Sequence, residues 1–178
     1  ISEVIKQAKE FNVKNVIIND YSKFIEVKKK NKKLKINFYN SFSIIDKLFK
    51  KKELFYSMIS IIGIDGLNPS LQLIKYSKNI AFVNKESIIC GWNLIKKELN
   101  KFNTKFIPID SEHFSIYSLI QNNSNDLIDK VFITASGGPF LNSSSKSLKN
   151  IKKKDALNHP NWKMGKKISI DSSTMMNK

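Results

Sequence analysis

Residues 80–113 read IAFVNKESIICGWNLIKKELNKFNTKFIPIDSEH: a short apolar run, a polar turn, a long amphipathic segment and a second apolar run that ends in acids. The outer runs, Ile80 to Asn84 and Phe106 to Asp110, have the length of strands and too few polar positions for a sheet with one face in water. Between them, Ser87 to Phe102 repeats apolar residues at helical spacing and turns Lys and Glu outward. Strand, helix and strand in that order form the parallel crossover unit, whose connection is right-handed. Both polar turns, Asn84 to Ser87 and Asp110 to His113, then fall at the carboxyl edge of the sheet, where open α/β sheets bind ligands.

The same alternation runs back to the N-terminus. Helices are expected over Ile1 to Phe11, Tyr21 to Lys33, Ser41 to Phe55 and Asn68 to Tyr76, and strands over Asn15 to Asn19, Leu34 to Tyr39 and Met58 to Gly63. The result is an α/β protein built on a parallel sheet. Beyond Asp110 the alternation stops. A helix over Ser111 to Gln121 and a strand over Lys130 to Ala135 lead into a stretch, 137–167, whose one regular segment is a short helix over Leu148 to Leu157. Stretches of this kind inside compact domains are usually functional or disordered. Ile168 to Asp171 reads as extended, with a helix beginning near Ser172. No Gly or Pro closes that helix, so the chain reads as a fragment. A domain boundary is placed near Pro108.

Composition removes several functions. A net charge of +16 would suit nucleic acid or an anionic membrane surface. Yet the 31 basic residues are all lysine, and nucleic-acid readers lean on the guanidinium for bidentate contacts. With 26 Ile and 20 Asn beside them, the lysines read as a compositionally biased, solvated surface. Neither nucleic acid nor membrane is expected as a partner. The single Cys90 excludes an internal disulfide and a cysteine zinc cluster. No apolar run approaches the roughly 20 residues that cross a bilayer, so a soluble protein is expected.

Four polar clusters carry the possible chemistry, and each has two readings. If strand geometry persists past Ile109, Asp110 and Glu112 share a face and converge on a hard cation such as Mg²⁺ or Mn²⁺; otherwise Asp110 and Ser111 cap the next helix and Glu112 sits in its first turn. Asn84 to Ser87 either meets a cofactor or substrate oxygen or caps a helix. Gly63-Ile64-Asp65-Gly66 permits close approach by a ligand but lacks the G-x-G-x-x-G spacing. Ser136-Gly137-Gly138 either holds an anion or makes a plain turn. Trp162, an indole in a polar loop, docks into a core or closes over a ligand.

In order along the chain, Asn84-Lys85-Glu86-Ser87, Pro108-Ile109-Asp110-Ser111-Glu112-His113, Ala135-Ser136-Gly137-Gly138-Pro139-Phe140 and the block from His159 to Lys178 closely resemble the 1-deoxy-D-xylulose 5-phosphate reductoisomerase family. The resemblance implies a Rossmann-like NADPH-binding domain, here incomplete, over 1–108, and the start of an α+β catalytic domain over 109–178 with a mobile loop at about 137–167. It implies NADPH and a divalent metal as cofactors, and a phosphorylated sugar converted to 2-C-methyl-D-erythritol 4-phosphate on a route to isoprenoid precursors. It also implies a homodimer in a bacterial cytoplasm, with a plastid stroma as the second choice. Residue by residue, it implies Asp110 and Glu112 as metal ligands, Ser111 and Glu112 on the substrate, and Lys85 at its reacting oxygens. Ser136, His159, Ser172, Asn177 and Lys178 hold the substrate, with Ser136, Ser172 and Asn177 mainly on its phosphate. Asn84, Glu86 and Gly165 contact NADPH, and Trp162 and Met164 belong to the closing loop, Trp162 against the substrate. Lys85, Asp110, Glu112 and His159 make up the catalytic set. The family's Gly-rich turn, its third carboxylate ligand and its helical domain are not found in the chain, so this piece alone is expected to be inactive. The residues by themselves leave open another NAD(P)-dependent dehydrogenase, or a basic non-enzymatic binding module.

Overall fold

The structure is a computed structural model that describes residues 1–50, 54–121, 127–134, 136–160, 163 and 165–174. The chain divides into two compact units, Ile1–Asp110 and Ser111–Lys178.

The first unit is organised by β4 (Ser77–Phe82), which lies between β3 (Leu54–Ile59) and β5 (Lys105–Pro108) in a parallel ladder. Ile80, Ala81 and Phe82 are all buried completely. Since alternate residues point to opposite faces, both faces of β4 are covered, which accounts for its continuous apolar run. Ile80 and Phe82 join Ile59, Ile74 from α4 (Leu67–Ile74), and Ile95 and Leu99 from α5 (Lys85–Phe102) in one core. Each such side chain taken from water contributes roughly 1.5–3 kcal/mol. The exit of α5 is fastened by Thr104, whose N–H donates to the Leu99 carbonyl at 3.0 Å and whose hydroxyl donates to the Ile74 carbonyl at 2.7 Å.

A separate parallel ladder pairs β1 (Asn15–Ile17) with β2 (Asn37–Tyr39), Val16 opposite Phe38. Its core draws Ile5 and Ala8 from α1 (Ser2–Glu10) and Phe24 and Val27 from α2 (Tyr21–Lys30). The described strands therefore form two ladders where the alternation suggested one sheet.

Several expectations in this unit shift: β2 keeps only Asn37–Tyr39 of the expected Leu34 to Tyr39, β4 begins at Ser77 and ends at Phe82 where Ile80 to Asn84 was expected, and β5 ends at Pro108 where Asp110 was expected. The strand expected over Met58 to Gly63 lies at Leu54–Ile59, and the helix expected over Ser41 to Phe55 shortens to a 3₁₀ turn at Phe42–Ile44 followed by α3 (Ile45–Phe49). The ladder, not the apolar run, sets the strand: Leu54 N–H donates to the Tyr76 carbonyl, and the buried hydroxyls of Ser57 and Ser77 bond across at 2.7 Å. Ile61 and Ile62, which prolonged the apolar run, are exposed.

The second unit opens with α6 (Ser111–Ile120) and continues through α7 (Ser145–Leu148), α8 (Lys153–Ala156) and α9 (Lys166–Ser173). Residues 130–134 form no strand, contrary to the expected Lys130 to Ala135, and Ala135 lies outside the described residues. Without a ladder partner among the described residues, their β-propensity has nothing to pair with, and Val131, Phe132 and Ile133 stay exposed. The extended segment expected at Ile168 to Asp171 is also corrected, since it is the middle of α9. The Ile168/Ile170 alternation imitates a strand, but Lys167 and Asp171 pair one turn apart at 3.0 Å, and the hydroxyls of Ser173 and Thr174 donate to carbonyls one turn back. Among the described residues no helix is long and apolar enough to cross a membrane.

Candidate functional site

At the carboxyl edge of the β3–β4–β5 ladder, Asn84 binds two chain segments together. Its Oδ1 accepts the Ser87 N–H at 2.9 Å, capping α5, while its Nδ2 donates to the Gly63 carbonyl at 2.7 Å and to the Ile61 carbonyl. The side chain is buried, 4% exposed. The Ser87 hydroxyl adds a bond to the Gly63 carbonyl at 3.3 Å. The partner segment is the turn after β3: Gly63 has φ +74°, a conformation few other residues tolerate, and Gly66 lies against the Asn84 amide. A Cβ on Gly66 would stand 2.9 Å from the Ile61 carbonyl oxygen and 3.1 Å from the Ser87 hydroxyl, besides striking Asn84. Lys85 and Glu86, both half-buried, are the first residues of α5.

Asp110 closes the first unit and Ser111 opens α6. Because β5 ends at Pro108, the two-residue strand alternation that would have put Asp110 and Glu112 on one face does not extend to them. Glu112 lies in the first turn of α6, where a carboxylate suits the helix dipole, and its Oε2 accepts the Ser111 hydroxyl at 3.0 Å. Among the described residues no three His, Cys, Asp or Glu side chains gather as a complete metal site.

In the second unit, residues far apart in the chain converge. Gly137 and Gly138 have φ of +74° and +48°, and this turn returns the chain against α9, where a Cβ on Gly138 would sit 3.0 Å from Ser172 Oγ. The result is that the Ser136 hydroxyl donates to the Ser172 carbonyl at 3.1 Å, across 36 residues. Ser136 and His159 line one cleft of about 490 Å³, with Gly138, Asn142 and Ser143 beside them. Asn142 and Ser143 belonged to a polar run with no assigned role, and only the turn shows that they face the same space. Gly165 precedes α9 directly. Trp162, Met164, Asn177 and Lys178 lie outside the described residues.

Parallel ladders flanked by helices, with a glycine turn and a capped helix start at their carboxyl edge, make the first unit a Rossmann-like α/β domain. The chain belongs to the 1-deoxy-D-xylulose 5-phosphate reductoisomerase family: residues 1–91 match the model of that name, and residues 106–178 match its C-terminal domain. The reductoisomerase of Pelagibacter ubique is 57% identical over 99% of this chain, and that of Clostridium novyi 41% over 99%, in each case covering 46% of the relative. The chain thus spans about half the length of the curated relatives it matches. Among solved structures, the Zymomonas mobilis reductoisomerase in complex with NADPH superposes with a TM-score of 0.78 at 30% identity, over 96% of this chain and 43% of that one. A reductoisomerase in complex with NADPH, fosmidomycin and magnesium gives 0.76 at 32%, over 99% and 46%.

Proposed function

We propose that this chain is part of an NADPH- and divalent-metal-dependent reductoisomerase that converts 1-deoxy-D-xylulose 5-phosphate to 2-C-methyl-D-erythritol 4-phosphate in isoprenoid biosynthesis. The observation that supports the reading is the cleft that Ser136 and His159 line in the second unit, with Ser136 tied to the Ser172 carbonyl, because hydroxyls and an imidazole around one cleft suit a phosphorylated polyol.

In this reading Asp110 and Glu112 supply carboxylate oxygens to a Mg²⁺ or Mn²⁺ ion, a donor set whose chemistry fits a hard cation and which further ligands would complete. When bound, the metal acts as a Lewis acid on the substrate's oxygens and NADPH supplies the hydride. The chain's own residues bind and orient. Lys85 donates to the reacting oxygens, and Ser111 and Glu112 hold the same end of the substrate. Ser136, Ser172, Asn177 and Lys178 grip the other end, with His159 beside them. Binding energy from that remote phosphate is spent on alignment at the reacting carbons. The turn from Asn84 to Glu86, together with Gly165, holds NADPH, while Trp162 and Met164 close over the site and exclude water. The protein works as a homodimer, and bacterial relatives such as those of Pelagibacter and Clostridium support a bacterial cytoplasmic setting.

The test uses a full-length protein carrying this chain, with metal-dependent oxidation of NADPH followed after addition of the deoxyxylulose phosphate. Asp110→Asn is expected to cut turnover by about a hundredfold or more with the fold unchanged. Full turnover in that variant would remove Asp110 from the metal site, and no reaction in the unaltered protein would sink the whole reading.

A further inference from the structure

We infer that Gly91 is a positioning residue for the reaction, a joint within α5 that aims Lys85 and Glu86 into the site; this rests on the function proposed above. Helix α5 is not one straight rod. Gly91 has φ −122° and ψ +16°, non-helical values that kink it between residues 85–90 and 92–102. Residues with side chains also visit these angles, so the backbone by itself does not call for glycine. Space does. Gly91 is buried, and a Cβ there would stand 2.5 and 2.9 Å from the two methyl carbons of Leu67, the first residue of α4.

The kink reconciles two anchors. The later segment is held by Ile95 and Leu99, both buried in the core of the first unit. The earlier segment is held near its start, where Ser87 is buried completely and its hydroxyl donates to the Gly63 carbonyl at 3.3 Å. Leu67 stands beside the joint, filling the space that a side chain at position 91 would need and packing against the same core. It also directly follows the glycine turn at 63–66. A side chain at position 91 therefore presses on that turn or on residues 85–90, and both flank the carboxyl edge of the ladder. Lys85 lies six residues ahead of Gly91, about 9 Å along the helix, so a tilt of about 10° would carry the first turn by about 1.5 Å. A displacement of that size is enough to spoil the alignment of reacting groups.

Three variants of the full-length protein test this: Gly91→Ala, Leu67→Ala and the two combined, each followed by steady-state kinetics and by denaturant unfolding. Gly91→Ala is expected to stay folded and to lower kcat/KM for the sugar phosphate by about tenfold or more. Competition by inorganic phosphate should stay within about twofold, since its grip is made in the second unit. Leu67→Ala should unfold at lower denaturant yet keep kcat/KM within about threefold. The double variant gives the new methyl group room, so it should return to within about threefold of the unaltered protein while being less stable than Gly91→Ala. Activity and stability then move in opposite directions, whereas a glycine needed only for packing would make them fall together.

Unchanged kcat/KM in Gly91→Ala overturns the inference. So does a loss that the double variant fails to recover, because the contact with Leu67 would then not be its cause. A Gly91→Ala protein that does not fold also overturns it, by assigning the glycine to the core alone. Failure of the unaltered protein to oxidise NADPH with the deoxyxylulose phosphate would instead strike the functional reading itself.

Discussion

The two units of this chain reach defined geometry by different means. In Ile1–Asp110 the fold is set by burial: Ile74, Ile80, Phe82 and Ile95 have no exposure at all, and each projects from a strand or helix whose apolar spacing announces it. In Ser111–Lys178 the described residues bury little beyond Ala156 and Ser169, and the shape comes from hydroxyls bonded to backbone carbonyls and from two glycines with positive φ. Burial is written in residue type and period. Turn geometry and side-chain bonding are not.

The sharpest way to break this contrast is to truncate one apolar side chain in each unit. Phe82→Ala is expected to cost about 3–5 kcal/mol, because a fully buried ring leaves a cavity that the surrounding Ile and Leu side chains only partly fill. Leu148→Ala, at a position 44% exposed, should cost no more than about 0.5 kcal/mol. Denaturant unfolding of both variants measures the difference. Equal losses would mean that the second unit has a core as consequential as the first.

A smaller effect is expected from the turn that stands in for a core. Gly138→Ala puts a methyl group 3.0 Å from Ser172 Oγ and asks alanine to hold a φ of +48°. The turn should relax away from α9 and carry Ser136 off the Ser172 carbonyl. Affinity for the phosphorylated substrate, or for inorganic phosphate as competitor, is expected to fall about tenfold, equivalent to about 1.4 kcal/mol. NADPH affinity should hold. A parallel loss of NADPH binding would show that the substitution disturbs more than this turn.

The same contrast explains what was legible beforehand. The crossover from Ile80 to Pro108 was readable because β4 is covered on both faces and α5 on one, and each leaves its own period. β3 was misplaced by four residues because Met58 to Ile62 is apolar apart from Ser60, while the pairing that fixes it runs through two serines, Ser57 and Ser77. α9 was read as extended because its two isoleucines alternate; the bonds that make it helical come from lysine, serine and threonine, which have no period. In the candidate site, Ser136, His159 and Ser172 were named from motif order; in the structure Ser136 and His159 line one cleft, and the Ser136 hydroxyl donates to the Ser172 carbonyl. The roles of Gly66 and Gly138 were not legible, since a missing Cβ matters only against a neighbour that the sequence does not place.

The smallest effect concerns how helices begin. In the first unit Asp20 caps α2, accepting the Lys23 N–H at 3.0 Å and the Ser22 hydroxyl at 2.7 Å, whereas α9 begins at Gly165 with no side-chain cap. The Lys23 N–H first, then the Ser22 hydroxyl, stabilise the ionised carboxylate and hold Asp20 below its ordinary 3.8. A carboxylate depressed on folding stabilises the native state at pH values above its unfolded pKa, and that stabilisation is lost as pH falls through the lower, folded value. Asn also caps helices but does not titrate, so Asp20→Asn removes the charge-dependent part alone. Any stability advantage of the unaltered protein over Asp20→Asn should therefore be level from neutral pH down to about pH 5 and shrink below the carboxylate range. Unfolding measured at a series of pH values reads this directly. An advantage that grew on acidification would mean that the carboxyl group is bound in its protonated form, and that α2 begins by a different set of bonds.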